Sequence, residues 1–183
     1  MQITLKTILA GEGGVGKTSL VTAFLQRAFQ KDYKITVGMD IASKTVTVNR
    51  TNVTLSVHDV AGQARFDTVR TVFFKGAHLV LLVFDLTRRE TLTVLRTQWI
   101  QPIVETNPGA SIHSILIGNK ADLDDLRAFD HEDGEKWISL VKKIYPGMII
   151  HGYIETSALQ NKNVDKAFTD LVKAYLQANP ILK

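Results

Sequence analysis

A glycine-rich segment at residues 11–18 constrains the fold of this chain more than any other feature. It reads Gly-Glu-Gly-Gly-Val-Gly-Lys-Thr and fits the pattern G-x-x-x-x-G-K-[ST] at every fixed position. An apolar run at residues 2–9 precedes it, and apolar residues at helical spacing follow it. The pattern therefore predicts a strand, a tight glycine loop and a helix in immediate succession.

A loop of this kind has the chemistry of a phosphate-binding site. Glycines let the backbone wrap closely around an anion with its N–H groups pointing inward, and the following helix adds the positive end of its dipole. We expect Lys17 to reach the β- and γ-phosphates of a nucleotide and Thr18 to bind Mg²⁺. A glycine-rich turn with a surface lysine is the alternative, which the flanking strand and helix disfavour. The residues expected to contact nucleotide here are Gly11, Gly13, Gly14, Val15, Gly16, Lys17, Thr18 and Ser19.

The remaining pattern predicts an α/β fold, a doubly wound and mostly parallel six-stranded sheet with about five helices. Period-two alternation at 53–57, a preceding strand at 39–48 and turn residues at 49–52 predict a hairpin, so that one edge strand runs antiparallel. Further strands are expected near 78–85, 114–118 and 148–155. Since no linker or repeat interrupts the pattern, we expect residues 1–183 to form one domain.

Composition excludes several classes of protein. The net charge is +4 with scattered basic residues, unlike the positive stripe of a nucleic-acid binder, so no nucleic-acid partner is expected. The longest apolar stretch, residues 79–84, is far shorter than the ~20 residues of a membrane helix. Without cysteine, this chain has no disulfide, thiolate metal site or prenyl anchor. We expect a cytoplasmic protein, and whether a lipidated tail follows Lys183 is a question that the sequence leaves open. The five histidines are dispersed without the spacing of zinc ligands, and Trp99 and Trp137 are expected in or beside the core.

A second polar segment, residues 58–63, follows the second strand of the hairpin. Asp59 is expected at the carboxyl end of a strand, where doubly wound sheets bind ligands, and could hold Mg²⁺ from the side opposite Thr18, through a water. Gly62 offers a backbone N–H to a γ-phosphate, and Gln63 is placed to orient an attacking water. The D-x-x-G pattern is weak alone and gains weight from lying downstream of the glycine loop.

A third polar segment, Asn119-Lys120-Ala121-Asp122, points to the base of the nucleotide. The Asp122 carboxylate can accept hydrogen bonds from N1–H and the 2-amino group of guanine, and such sites discriminate about 10⁴–10⁵-fold. Lys120 is expected to lie over the ring and brace the glycine loop, and Asn119 to tie segments together. A polar loop after a strand is the alternative. The base pocket is completed by N–H groups near guanine O6, in the segment Thr156, Ser157, Ala158 and Leu159.

Together these motifs resemble those of Ras-superfamily small GTPases, most of all the Rab subgroup, over essentially the whole chain. Residues 33–40, 59–66 and 73–77 are similar to that subgroup's two switch segments and the segment after them. The resemblance implies the fold of a P-loop NTPase with a small G-domain. It also implies that Thr36 coordinates Mg²⁺ and the γ-phosphate, that Phe29 packs edge-on against guanine, and that Tyr33 closes over the phosphates.

Three positions depart from the Rab pattern. His58 stands where relatives mostly have Trp or an aliphatic residue, and Ala64 replaces the usual acidic residue after the glutamine. Both changes alter the surface that partners would recognise. Leu159 replaces the usual lysine after Ser157-Ala158, which is expected to loosen the base pocket and speed nucleotide exchange.

The resemblance implies a GTP-driven switch with Gln63 and Lys17 as catalytic residues. Loss of the γ-phosphate would release Thr36 and Gly62, and the loops near 30–40 and 60–75 would relax. Those loops are expected to meet effector, exchange-factor and GTPase-activating proteins. One alternative is a guanine-nucleotide-binding module that does not switch. An ATP-dependent kinase or ATPase on the same loop is disfavoured by residues 119–122.

Overall fold

A computed structural model of the chain describes residues 3–25, 39–60 and 72–180, which form one six-stranded sheet between two helical layers. The strand order is β2-β3-β1-β4-β5-β6. Every neighbouring pair is parallel except β2 and β3, so the expected mostly parallel sheet with one antiparallel edge strand is confirmed. The strands are β1 Ile3–Ala10, β2 Met39–Val48, β3 Thr51–Val60, β4 Leu79–Asp85, β5 Ile112–Asn119 and β6 Met148–Glu155.

Five α-helices are bounded within the described ranges. They are α1 Lys17–Phe24, α2 Arg89–Val94, α3 Gln101–Thr106, α4 His131–Ile144 and α5 Val164–Ala178. A π-helical turn at Leu95–Ile100 joins α2 to α3, and a 3₁₀ turn at Asp124–Leu126 precedes α4. Residues 72–74 are also helical. In the described part of the chain, no helix is both long and apolar enough to span a bilayer.

Each face of the sheet packs against its own set of helices. On one face, α1 and α5 meet through stacked rings of Phe24 and Phe168, whose centroids are 3.8 Å apart. On the other face, Trp99 is fully buried among apolar residues of β4 and β5. Every residue of β4 is buried, as expected for a central strand that is apolar on both sides. Trp137 is half-buried and packs against the same apolar cluster as Trp99.

The hairpin turn is shorter than the sequence pattern indicates. Only Asn49 and Arg50 leave the ladder, with φ of 50° and 66°, while Thr51 and Asn52 already belong to β3. Two consecutive positive φ values are typical of the two-residue turns whose twist matches that of the flanking strands. Thr47 pairs with Asn52 across the ladder, and their side chains hydrogen-bond at 2.8 Å, which extends β3 beyond the expected residues 53–57.

Two of the five histidines, which are dispersed along the sequence, are in contact. His113 Nδ1 lies 2.8 Å from His151 Nε2, and the two rings stack with centroids 5.0 Å apart. They come from neighbouring strands β5 and β6, and the edge of the Tyr175 ring packs against His113. The two histidines are 38 residues apart in the sequence, so the contact could be found only from the pairing of β5 with β6.

We expect acidification from about pH 7.5 to about pH 5.5 to lower the thermal unfolding temperature, partly through this pair. Burial holds the pKa of both His113 and His151 below the ordinary value of 6.5. The unfolded chain therefore binds more protons as the pH falls through that range, and stability present at higher pH is lost. His113→Gln should reduce this pH dependence in thermal melts. An unchanged pH dependence in His113→Gln would contradict this account.

Candidate functional site

The glycine loop lies between the carboxyl end of β1 and the start of α1, and two of its glycines are required by close contacts. An ideal Cβ built on Gly16, whose φ is 97°, would lie 2.3 Å from Asn119 Nδ2. A Cβ on Gly11 would lie 2.2 Å from the carbonyl oxygen of Val83. Both distances are shorter than any tolerable carbon contact, so only glycine lets the loop approach β4 and β5 this closely.

Lys17 lies within the loop. The residue is 6% exposed, and Nζ donates hydrogen bonds to the carbonyl oxygens of Gly11 at 2.7 Å and Glu12 at 3.0 Å. The ammonium thus braces the backbone that surrounds it. It also adds a positive charge at the start of α1, where the helix dipole already favours an anion.

Thr18 and Asp59 come together beside the loop. The Thr18 hydroxyl donates to Asp59 Oδ2 at 2.5 Å, and the Asp59 side chain is 2% exposed. Parallel pairing places Asp59 next to Leu9 of β1, at the same edge of the sheet as the loop. Asp40 contributes to the lining of a small cavity next to this pair. Hydroxyl and carboxylate oxygens are the donors that Mg²⁺ prefers, so the pair fits the metal expected there.

Asn119 connects three segments of the chain at the carboxyl end of β5. Its Nδ2 donates to the carbonyl oxygen of Val15 in the glycine loop at 2.9 Å. Its Oδ1 accepts hydrogen bonds from the Thr156 hydroxyl at 3.0 Å and the Ala158 N–H at 3.3 Å. The side chain is 2% exposed, so these bonds form away from water and hold the loop next to the segment after β6.

The two residues expected at the base are also in contact. The Ser157 hydroxyl donates to Asp122 Oδ1 at 2.5 Å and accepts the Gln160 N–H at 3.0 Å. Ser157, in the loop after β6, therefore holds the Asp122 carboxylate in one orientation. Leu159, in the same loop, exposes 59% of its surface.

Lys120 contacts a buried carboxylate at the end of β4. Its Nζ lies 2.7 Å from Asp85 Oδ2, and Arg88, which also pairs with Asp85, donates from Nη2 to the Gly13 carbonyl of the glycine loop at 3.0 Å. Burial raises the pKa of Asp85, but hydrogen bonds from Lys120 and Thr87 outweigh it and hold the pKa below its usual range. Sequence reasoning missed Asp85, although an aspartate that ends an all-apolar central strand is itself a signal.

A second ionic cluster stabilises the end of β6, which leads into the predicted base-binding residues at 156–159. Arg127 donates to both carboxylate oxygens of Glu155, at 2.8 and 2.9 Å, and the Tyr153 hydroxyl donates to the same carboxylate at 3.0 Å. The Arg127 hydrogen bonds lower the pKa of Glu155, while burial raises the pKa of Tyr153. Since Glu155 ends β6, the cluster anchors the strand that leads into Ser157.

Comparison with known proteins shows the family to which this site belongs. A model described as Ras family matches residues 6–177, nearly the whole chain. The chain belongs to the Ras family. The resemblance expected from the three motifs is thereby confirmed, and this Ras-family chain is a small GTPase, a GTP phosphohydrolase that acts as a molecular switch.

Curated relatives place the chain beside the Rab proteins. "Ras-related protein Rab-1" of Theileria annulata is 34% identical over 169 residues, which cover 92% of this chain and 73% of the relative. "Ras-related protein Rab-13" of Canis lupus familiaris is 35% identical over 173 residues, covering 93% and 79%. "Ras-related protein Rab-8A" of Bos taurus is 34% identical over 168 residues, covering 92% and 76%. The Ras-family chain is therefore Rab-like.

Several residues that the Ras-family resemblance assigns to the nucleotide lie outside the described part of the chain. They are Phe29, Tyr33, Thr36, Gly62 and Gln63, and Ala64 lies there too. Their roles remain predictions from the sequence. The described residues bring together the glycine loop, Asp59 and the two base segments at one edge of the sheet.

Proposed function

We propose that this Rab-like GTPase binds GTP and GDP, with Mg²⁺, across the carboxyl edge of its sheet and acts in the cytoplasm as a trafficking regulator. One observation carries the proposal. The buried Asn119 amide joins the glycine loop, through Val15, to the loop that contains Ala158. This link would hold a phosphate site and a base site at a fixed separation, as a nucleoside phosphate requires.

The phosphate side of the site combines several sources of positive potential. Lys17, the loop N–H groups and the amino end of α1 all act on the same anion. Thr18 and Asp59 would hold Mg²⁺, together with Thr36 by family resemblance. The metal, when bound, neutralises charge on the phosphate oxygens.

In the proposed reaction Gln63 orients a water, whose oxygen attacks the γ-phosphorus in line with the bridging oxygen that leaves with GDP. The Gly62 N–H would donate to the γ-phosphate of bound GTP. This hydrogen bond would be lost when inorganic phosphate leaves the site. The loops near 30–40 and 60–75 then change conformation, and effectors, exchange factors and GTPase-activating proteins respond to that change. An arginine supplied by such a partner would accelerate hydrolysis about 10³–10⁵-fold, a magnitude taken from the Ras family itself.

A nucleotide competition experiment tests the proposal. Fluorescent GTP bound to the purified protein is displaced by GTP, GDP or ATP, with Mg²⁺ present or chelated. We expect guanine nucleotides to displace the probe about 10³-fold or more better than ATP, and chelation to weaken binding. Equal displacement by ATP would contradict the base assignment. Binding that is independent of Mg²⁺ would contradict the metal assignment.

Gln63→Leu should slow GTP hydrolysis by about 10- to 100-fold and leave GTP affinity nearly unchanged. The leucine side chain fills similar volume but has no polar atom to orient water. Phosphate release from prebound GTP in a single turnover measures the effect. Gln101→Leu, at an exposed position of α3, is the matched control. Hydrolysis at the wild-type rate in Gln63→Leu would remove Gln63 from the mechanism.

A further inference from the structure

A buried carboxylate at the end of β4 joins two cations that approach the nucleotide site from different elements. Asp85 is fully buried, and its Oδ2 lies 2.7 Å from Lys120 Nζ and 3.0 Å from Arg88 Nε. Its Oδ1 accepts the Thr87 N–H at 2.9 Å and the Thr87 hydroxyl at 2.7 Å. Four donors therefore fix the orientation of this carboxylate.

Arg88 extends this cluster to the phosphate loop. While Nε is held by Asp85, Nη2 donates to the carbonyl oxygen of Gly13 at 3.0 Å. The arginine backbone is fixed as well, since its N–H donates to the Asp85 carbonyl and its own carbonyl accepts the Thr91 hydroxyl at 2.7 Å. A planar guanidinium suits this bridge because its donors diverge at set angles, which a single ammonium cannot reproduce.

The bond to Gly13 has a consequence for the inside of the loop. The carbonyl of Gly13 and the N–H of Gly14 belong to one trans peptide unit, so they point in opposite directions. By holding the carbonyl on one side, Arg88 directs the Gly14 N–H to the other. Inward N–H groups are what such a loop offers to a phosphate chain.

The same cluster reaches the base side of the site. Lys120 belongs to the segment predicted to recognise guanine, and Asp85 binds Lys120 and Arg88 through one oxygen. A movement of either cation therefore changes the electrostatic environment of the other. The glycine loop and the base segment are linked by this route in addition to Asn119.

We infer that Arg88 is a positioning residue that holds the phosphate loop in its nucleotide-binding shape, through the Gly13 carbonyl and Asp85, and thereby slows nucleotide release. The inference rests on the proposed function. The protein should still fold without this side chain, because Asp85 keeps its bonds to Lys120 and Thr87. Arg88 itself is 37% exposed, so its truncation leaves no large cavity.

The test measures release of fluorescent GDP after dilution into excess unlabelled GDP. Arg88→Ala should accelerate release by about 10- to 100-fold, the range for loss of a charged hydrogen bond. Arg88→Lys should recover part of the effect, because an ammonium keeps the charge but not both bonds. Arg89→Ala is the matched control, since that neighbouring arginine is exposed and pairs with Asp133 instead. It should release GDP at the wild-type rate.

Two further measurements separate positioning from other roles. In Arg88→Ala the nucleotide-free protein should still unfold cooperatively, and single-turnover hydrolysis of prebound GTP should slow by a smaller factor than GDP release accelerates. Wild-type GDP release in both Arg88 variants would overturn the inference, and so would slower hydrolysis without faster release or equal acceleration in Arg89→Ala. If the wild type itself failed to retain GDP, the proposed function would fail instead.

Discussion

Asp122→Asn should change the base preference of this GTPase from guanine to xanthine, by about 10⁴-fold in relative affinity. The Asp122 carboxylate can accept two hydrogen bonds, from N1–H and the 2-amino group of guanine. An asparagine amide presents one acceptor and one donor, which match the N1–H and 2-carbonyl of xanthine. Ser157 already holds Asp122 Oδ1 at 2.5 Å, so the substituted side chain should keep its orientation.

Competition of GTP and xanthosine triphosphate for the same fluorescent probe measures this preference. Asp125→Asn is the matched control, because that aspartate lies three residues further along and is exposed. It should bind GTP like the wild type. A ratio of the two affinities that is the same in Asp122→Asn and wild type would show that another group recognises the base.

Lys17→Ala should weaken GTP binding by about 10²–10³-fold, the usual loss when one partner of a buried charged interaction is removed. Lys17 is 6% exposed, and its ammonium donates hydrogen bonds to the carbonyls of Gly11 and Glu12. Its removal takes away both a positive charge beside the phosphates and a support of the loop. Equilibrium titration with GTP in the presence of Mg²⁺ measures the loss.

Two variants serve as comparisons. Lys17→Met keeps most of the aliphatic side chain without the ammonium, so a loss as large as in Lys17→Ala would assign the effect to the ammonium and not to packing of the aliphatic part. Lys166→Ala removes an exposed lysine on α5 that pairs with Asp170, and it should bind GTP normally. Lys17→Ala with wild-type affinity would contradict the phosphate assignment.

The parts of the fold that could be predicted are those encoded by local pattern. A pattern of about ten residues is enough to predict the glycine loop, the all-apolar β4 and the alternating β3, because backbone conformation and burial follow local periodicity. The order of motifs along the chain then placed Asp59 and Asn119 at strand ends, and the parallel sheet brings them to one edge. Only the exact ends of the strands differed.

The contacts that could not be predicted all depend on strand register and helix packing. Arg88 and Gly13 are 75 residues apart, and nothing in either segment indicates that they meet. The same holds for His113 and His151, which lie in adjacent strands. Lys120 likewise binds the buried carboxylate of Asp85, a partner 35 residues away that its own segment does not indicate.

The sequence by itself determined the α/β class, the glycine loop and the chemistry of the nucleotide, because those properties reside in residue types at short, regular spacing. The tertiary structure alone decided which side chains support that chemistry. A buried polar group must find its partners wherever the packed chain provides them, and for Asp85 these are Arg88, three residues further along, and Lys120, which follows the neighbouring strand β5.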